Sequence, residues 1–140
     1  MSEEVRQLTA GDLASNEMHA LMREAAGLPG AEIRRILAEE LPGMVVFGTG
    51  AEGHPSSMAA CVVQRDHVLL EYLAVAAGSR GRGIGRLLVG QAARLGSLVV
   101  AETADDAVDF YRALGFQVAP ALEDPRWPGC ARYRCVLNQR

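Results

Sequence analysis

Val68-Leu69-Leu70-Glu71-Tyr72-Leu73-Ala74-Val75 is followed, after a short connection, by Arg80-Gly81-Arg82-Gly83-Ile84-Gly85. The first segment is almost continuously apolar, which suits a central strand covered on both faces. The second opens an amphipathic helix expected from about Gly83 to Leu95, with Leu87, Leu88, Gln91, Ala92 and Leu95 along it and Gly96 closing it. Glycines in such a turn let the backbone approach a ligand and leave N–H groups unobstructed. The helix N-terminus adds partial positive charge, and Arg80, Arg82 and Arg86 add full charges. A strand, a glycine turn and a helix in this order make an anion site suited to phosphate. The same pattern also suits a plain turn with solvated arginines.

The chain has 140 residues, 49% hydrophobic, 22% charged and 5% aromatic, which is enough for one domain with its own core. All 14 basic residues are arginine. Without lysine there can be no Schiff-base amine, no catalytic lysine and no Walker-type phosphate loop. The arginine bias matches a GC-rich bacterial coding sequence. A net charge of −3 argues against a nucleic-acid-binding domain. No apolar run reaches the ~20 residues of a membrane span, and Met1-Ser2-Glu3-Glu4 is not a secretory leader. A cytoplasmic protein is the simplest expectation. Cys61, Cys130 and Cys135 are then reduced thiols, with a Cys130–Cys135 pair as the minor alternative.

Outside the quoted stretch, Val5–Leu8 reads as a first strand. Thr9 and Asp12 form a capping box for a helix carrying Leu13, Met18, Leu21, Met22 and Ala25. A second helix presents Ile33, Ile36, Leu37 and Leu41 on one face and ends at Pro42-Gly43. Strands follow at Met44–Phe47 and Met58–Gln64. After the central strand and its helix come a strand at Leu98–Ala101 and a second capping box, Thr103 with Asp106, opening a helix to Leu114. A closing pair is expected at Phe116–Ala119 and Arg132–Leu137. The order βααβββαβαββ predicts an α+β fold, one mixed, mostly antiparallel sheet with helices on both faces. Gly48-Thr49-Gly50-Ala51-Glu52-Gly53 matches the dinucleotide fingerprint G-x-G-x-x-G. His54-Pro55-Ser56-Ser57 follows instead of a helix, so a hairpin loop is expected there.

Two separated segments carry a resemblance. Arg80, Gly83 and Gly85 match an R/Q-x-x-G-x-G/A loop, and Ala107, Tyr111, Gly115 and Phe116 match an A-x-x-x-Y-x-x-x-G-F segment. Together with Leu73-Ala74-Val75 before the loop, they make the chain similar to the GNAT superfamily of N-acetyltransferases. The likeness covers Val68 to Phe116 by motif and residues 1–140, as one acetyltransferase-like domain, by element order. One departure is Ala104, where many members carry Asn. The resemblance implies acetyl-CoA as cosubstrate and no metal, with its pyrophosphate on Arg80, Gly81, Arg82, Gly83, Ile84, Gly85 and Arg86. It also implies a pantetheine arm lying along Leu73, Ala74 and Val75 like an extra strand. The Leu73 N–H would polarise the thioester carbonyl, and the Val75 N–H would hold a pantetheine carbonyl. A primary amine, on a small molecule or a peptide, would then attack directly. Nucleic acid and membrane are not expected partners; homodimers are common among such proteins. The alternative is a non-catalytic domain of the same fold that binds acyl-CoA as a sensor or interaction module.

Tyr111 is the family-type general acid for the leaving thiolate, or else a core aromatic beside Phe110. Glu71 is the one charge inside the central strand, where a buried carboxylate needs a partner or a task. Two residues before Leu73, it is expected on that residue's side. Some family members carry a base there; a salt-bridge partner or a solvent-edge residue is the alternative, and a water relay is a further route. Glu102, Asp105 and Asp106 either draw a cationic acceptor or complement a helix dipole. Trp127, in Arg126-Trp127-Pro128-Gly129, is a pocket wall or a loop anchor. His19, His54 and His67 share no ligand spacing with the cysteines.

Overall fold

The computed structural model describes residues 4–139. Its strands are β1 (Arg6–Gln7), β2 (Val45–Gly48), β3 (Gly50–Ala51), β4 (His54–Pro55), β5 (Ser57–Val63), β6 (Val68–Val75), β7 (Leu98–Thr103), β8 (Gln117–Ala121) and β9 (Arg132–Asn138). The helices are α1 (Ala10–Leu13), α2 (Asn16–Ala26), α3 (Gly30–Arg35), α4 (Ile84–Ala93) and α5 (Val108–Ala113). Seven strands form one sheet in the order β1-β2-β5-β6-β7-β9-β8, and β3-β4 is a separate hairpin. Every pairing is antiparallel except β6 with β7. This is the expected α+β architecture.

Apolar alternation sets the layers. Val68 and Leu70 of β6 join Ile84, Leu88 and Val89 of α4 and Val108 and Tyr111 of α5 in one core. Tyr72 and Ala74 join Met18, Leu21 and Met22 of α2, with Ile33, Ile36 and Leu41, in the other. Fully burying a side chain such as Leu88 or Met22 is worth about 1.5–3 kcal/mol, so each helix is held by its apolar stripe rather than by propensity.

Three local expectations change. The Thr9 box is present, with both reciprocal bonds, but its helix stops at Leu13, and Ser15 caps α2 by accepting from the Met18 N–H. The second helix is α-helical only to Arg35. A wide π turn then spans Ile36–Glu40 and a 3-10 turn spans Leu41–Gly43. The wide turn lets Ile36 and Leu41, five apart, both be fully buried. Thr103 and Asp106 do not cap α5, which starts at Val108 behind Ala107 with no side-chain cap. Instead β7 runs on to Thr103 because β9 pairs with it there.

The Gly48–Gly53 segment is the expected hairpin. A side chain on Gly48 would collide with the Ser57 carbonyl on the neighbouring strand. Gly53 N–H donates to buried Asp12, which also accepts from Arg6 and from the Thr9 N–H. Hydrogen bonds from Arg6 hold the Asp12 carboxyl well below the usual carboxylate range. The three cysteines are free; Cys61 and Cys135 are buried in the core. No helix among the described residues is long and apolar enough to cross a membrane.

Candidate active site

β6 and β7 pair only from Val68–Val99 to Leu70–Ala101 and then part. The parting coincides with a β-bulge. On the other side of β6, Cys61 faces Leu70 and Ala60 faces Tyr72, so Glu71 is the extra residue with no partner on β5. The bulge resets the alternation of the strand. Ala76 N–H donates to Ser56 O at 2.9 Å, on the β5 side. Counting back by twos, the Ala74 amide also faces β5, and the N–H groups of Leu73 and Val75 turn to the gap.

The gap continues into a cavity of about 860 Å³, a size that holds a large ligand. Its walls include Glu71, Leu73, Ala74, Val75, Arg80, Gly81, Gly83, Ile84, Gly85, Arg86 and Tyr111. Of the candidate residues from sequence, Arg82 and Asp105 are not on that wall. Gly81 and Gly83 have φ of +80° and +75°, a region that side chains disfavour. Gly83 precedes α4, and no side chain caps the first-turn N–H groups. A Cβ on Gly85 would lie 3.0 Å from the Phe110 ring, so glycine there also lets α4 approach α5. Arg80 donates from Nε to the Val75 carbonyl at 3.0 Å and pairs with Glu24 of α2, bridging the strand end and the helix layer.

Tyr111 is 6% exposed and makes edge-to-face contacts with Phe110 and Phe116 at 5.1 and 5.2 Å. Burial pushes its phenol well above the usual range, so it holds its proton at neutral pH. It is therefore both a core aromatic and part of the cavity wall.

Glu71 differs from expectation in direction, and it has the salt-bridge partner that the alternative reading allowed. Arg126 Nη1 reaches both Glu71 Oε1, at 3.4 Å, and the Tyr72 hydroxyl, at 3.3 Å. Glu71 therefore shares the face of Tyr72 and not that of Leu73, which packs in the opposite core. The bulge is the reason. Arg126 is fixed in turn by Asp124 at 2.9 Å and lies 4.5 Å from the Trp127 ring centroid. Burial pushes the Tyr72 hydroxyl up to about 12, helped by nearby Glu40.

Trp127 is both wall and anchor. It lines the cavity, and its indole N–H donates to the Ala26 carbonyl at the end of α2 at 2.6 Å. Arg132 sits 4.5 Å from the same ring. Glu102 pairs with Arg134, and Asp105 accepts from the Tyr133 hydroxyl, so neither completes a helix cap. Sequence reasoning missed Arg126 as the partner of Glu71, and also Tyr72, Arg132 and Glu24. Their contacts join residues far apart in the chain and follow no period.

A sheet that splits at a bulge, with a glycine turn and an uncapped helix at the mouth of the split, makes an α+β fold with an anion-attracting slot beside an opened strand edge. The residues fit such a cosubstrate: the cavity runs from the anion-attracting helix start to the amides of Leu73 and Val75. The description "Acetyltransferase (GNAT) domain" matches residues 34–118, and the chain belongs to that family. No curated protein matches the sequence. Among solved structures, the chain is similar to the ribosomal-protein-S18-alanine N-acetyltransferase from Escherichia coli, with TM-score 0.76 and 18% identity over 98% of this chain and 94% of that one. The PaiA N-acetyltransferase from Thermoplasma acidophilum in complex with coenzyme A gives TM-score 0.73 and 17% identity over 96% and 98%. A GNAT family acetyltransferase from Elizabethkingia anophelis with acetyl-CoA bound gives 0.71 and 13% over 97% of each chain. At these identities the likeness is one of fold.

Proposed function

We propose that this protein, as one domain, is an acetyl-CoA-dependent N-acetyltransferase that passes acetyl from the thioester directly to a primary amine. The observation that carries this reading is the opened edge of β6, where the Leu73 and Val75 amides face the gap beside the start of α4. Acetyl-CoA supplies the activated acyl group. Arg80, Arg86 and the amides from Gly81 to Arg86 hold its phosphates, using the helix N-terminus as well as full charges. Val75 N–H orients the pantetheine arm, and Leu73 N–H stabilises negative charge developing on the carbonyl oxygen.

Tyr111 gives its proton to the departing thiolate. A free phenol is a weaker acid than a free thiol by about 1.5 pK units, which disfavours transfer in water. Inside the cavity, Tyr111 passes its proton to sulfur as its oxygen takes up the second proton of the attacking amine, so the thiol leaves neutral and no phenolate is left in the low-dielectric site. Glu71 accepts the proton from the incoming ammonium, directly or through one water, while Arg126 holds the carboxylate in position. The amine attacks without a covalent enzyme intermediate, so no nucleophilic side chain is needed.

Thermal melting with acetyl-CoA, followed by thiol release with a panel of amines, tests the reading. A rise in Tm with saturating acetyl-CoA and amine-dependent thiol release are expected. No shift overturns the acyl-CoA assignment. A shift without amine-dependent release from any acceptor favours the non-catalytic module.

A further inference from the structure

The cavity has an unusual charge arrangement. Its glutamates already have arginine partners: Glu24 with Arg80, Glu71 with Arg126, and Glu102 with Arg134. Asp106 is the remaining lining carboxylate, exposed before α5. A polycationic acceptor would find little unneutralised negative charge within. Arg132 shows the opposite condition. It lines the cavity, rests against Trp127, and among the described residues its buried Nε has no hydrogen-bond partner. Buried arginine donors are normally satisfied, and the natural complement of a guanidinium edge is a carboxylate held by two parallel bonds.

We propose that the acceptor carries a carboxylate beside its amine, as a free amino acid does, and that Arg132 receives that carboxylate next to Trp127. This rests on the acetyltransferase reading above. A modest turn of the guanidinium off the indole face brings Nε and one Nη to the ligand and satisfies the orphan donor. The amine is then left for Glu71, whose pairing with Arg126 keeps its negative charge local. Trp127 packs against the apolar body of the acceptor, and its bond to Ala26 fixes the wall. Arg126 is engaged by Asp124, Glu71 and Tyr72; Arg132 lies near enough to Asp124 to help hold its carboxyl low, yet its Nε keeps no hydrogen-bond partner and is left to read an anion.

Matched amine pairs test this on the unaltered protein: phenylalanine against phenethylamine, and serine against ethanolamine, each with acetyl-CoA and thiol release as the readout. The carboxylated member is expected to have the higher kcat/KM by about ten-fold or more, the worth of a charge-assisted pair. Arg132→Gln is expected to narrow that ratio to about two-fold, through KM rather than kcat, and Arg132→Lys to restore part of it. Equal or better use of the decarboxylated amines overturns the proposal, as does a folded Arg132→Gln that keeps the full ratio. The two readings fail differently. No Tm shift with acetyl-CoA removes both. A shift with both members of each pair used equally, or with neither used, removes the carboxylate inference alone.

Discussion

The two ends of the cavity are built from different materials. On the proposed reading the cosubstrate end is mostly backbone, with Arg80 and Arg86 beside it: the turned amides of Leu73 and Val75, two left-handed glycines and an uncapped helix start. The acceptor end is side chains from distant parts of the chain: Glu71, Arg126, Trp127 and Arg132, tied to Ala26 and Asp124. A backbone site accepts one chemical shape and tolerates drift in most side chains around it. A side-chain site can be rewritten residue by residue. On the proposed reading the cosubstrate is therefore the fixed element and the acceptor the variable one.

Tyr111 lies between the two ends and should show the largest effect. Tyr111→Phe is expected to lower kcat by about a hundred-fold, the lower range for a lost general acid, with acetyl-CoA affinity nearly unchanged. Unchanged turnover in steady-state assays removes Tyr111 from proton transfer. Because burial raises the phenol, its proton is retained as pH rises. The alkaline fall in kcat caused by this group is therefore expected above about pH 10, the ordinary phenol value. A Tyr111-dependent fall at pH 8 contradicts that order. Next, Gly83→Val forces a branched side chain into the left-handed region, at a cost of about 1–2 kcal/mol. Acetyl-CoA binding by calorimetry should weaken by roughly ten-fold while discrimination between acceptors stays the same. Equal losses at both ends would erase the contrast.

The acceptor end should respond in the opposite sense. Arg126→Ala unpairs Glu71 from its partly exposed arginine and is expected to raise the acceptor KM by roughly five-fold, with acetyl-CoA affinity unchanged. Trp127→Phe keeps the ring but loses the indole bond to Ala26, about 1 kcal/mol. Its expected result is the smallest, a slight fall in Tm and a rise in acceptor KM of about two-fold. If Trp127→Phe weakens acetyl-CoA more than the acceptor, the division of the cavity is wrong.

The same contrast explains what could be read from the chain. The central strand, Val68–Val75, has the expected bounds because its apolar run is local. The glycine turn, α4 and the 48–57 hairpin follow from short-range backbone preferences, and the GNAT family from two such motifs. The Thr103 box fails because long-range pairing of β7 with β9 outweighs a local cap. Glu71 was identifiable as anomalous, since a charge in an apolar strand needs an explanation. Its direction was not, because a bulge shifts phase without a composition mark. The pairing of Arg126 with Glu71 gave no signal in sequence, because Glu71 lies 55 residues away on the central strand.

The extra residue at position 71 also makes the site sensitive to length. Strand faces repeat every two residues, so removing one residue near 71 would take out the bulge and restore regular alternation along β6. Tyr72 and Ala74 would still face Ala60 and Met58 of β5, but without the bulge the ladder with β7 would run on where the gap now opens. A one-codon deletion would leave both glycine motifs intact while erasing the place where the acyl arm can lie. For a chain of this family, alignment gaps in the middle of the central strand therefore carry more functional information than most substitutions around it.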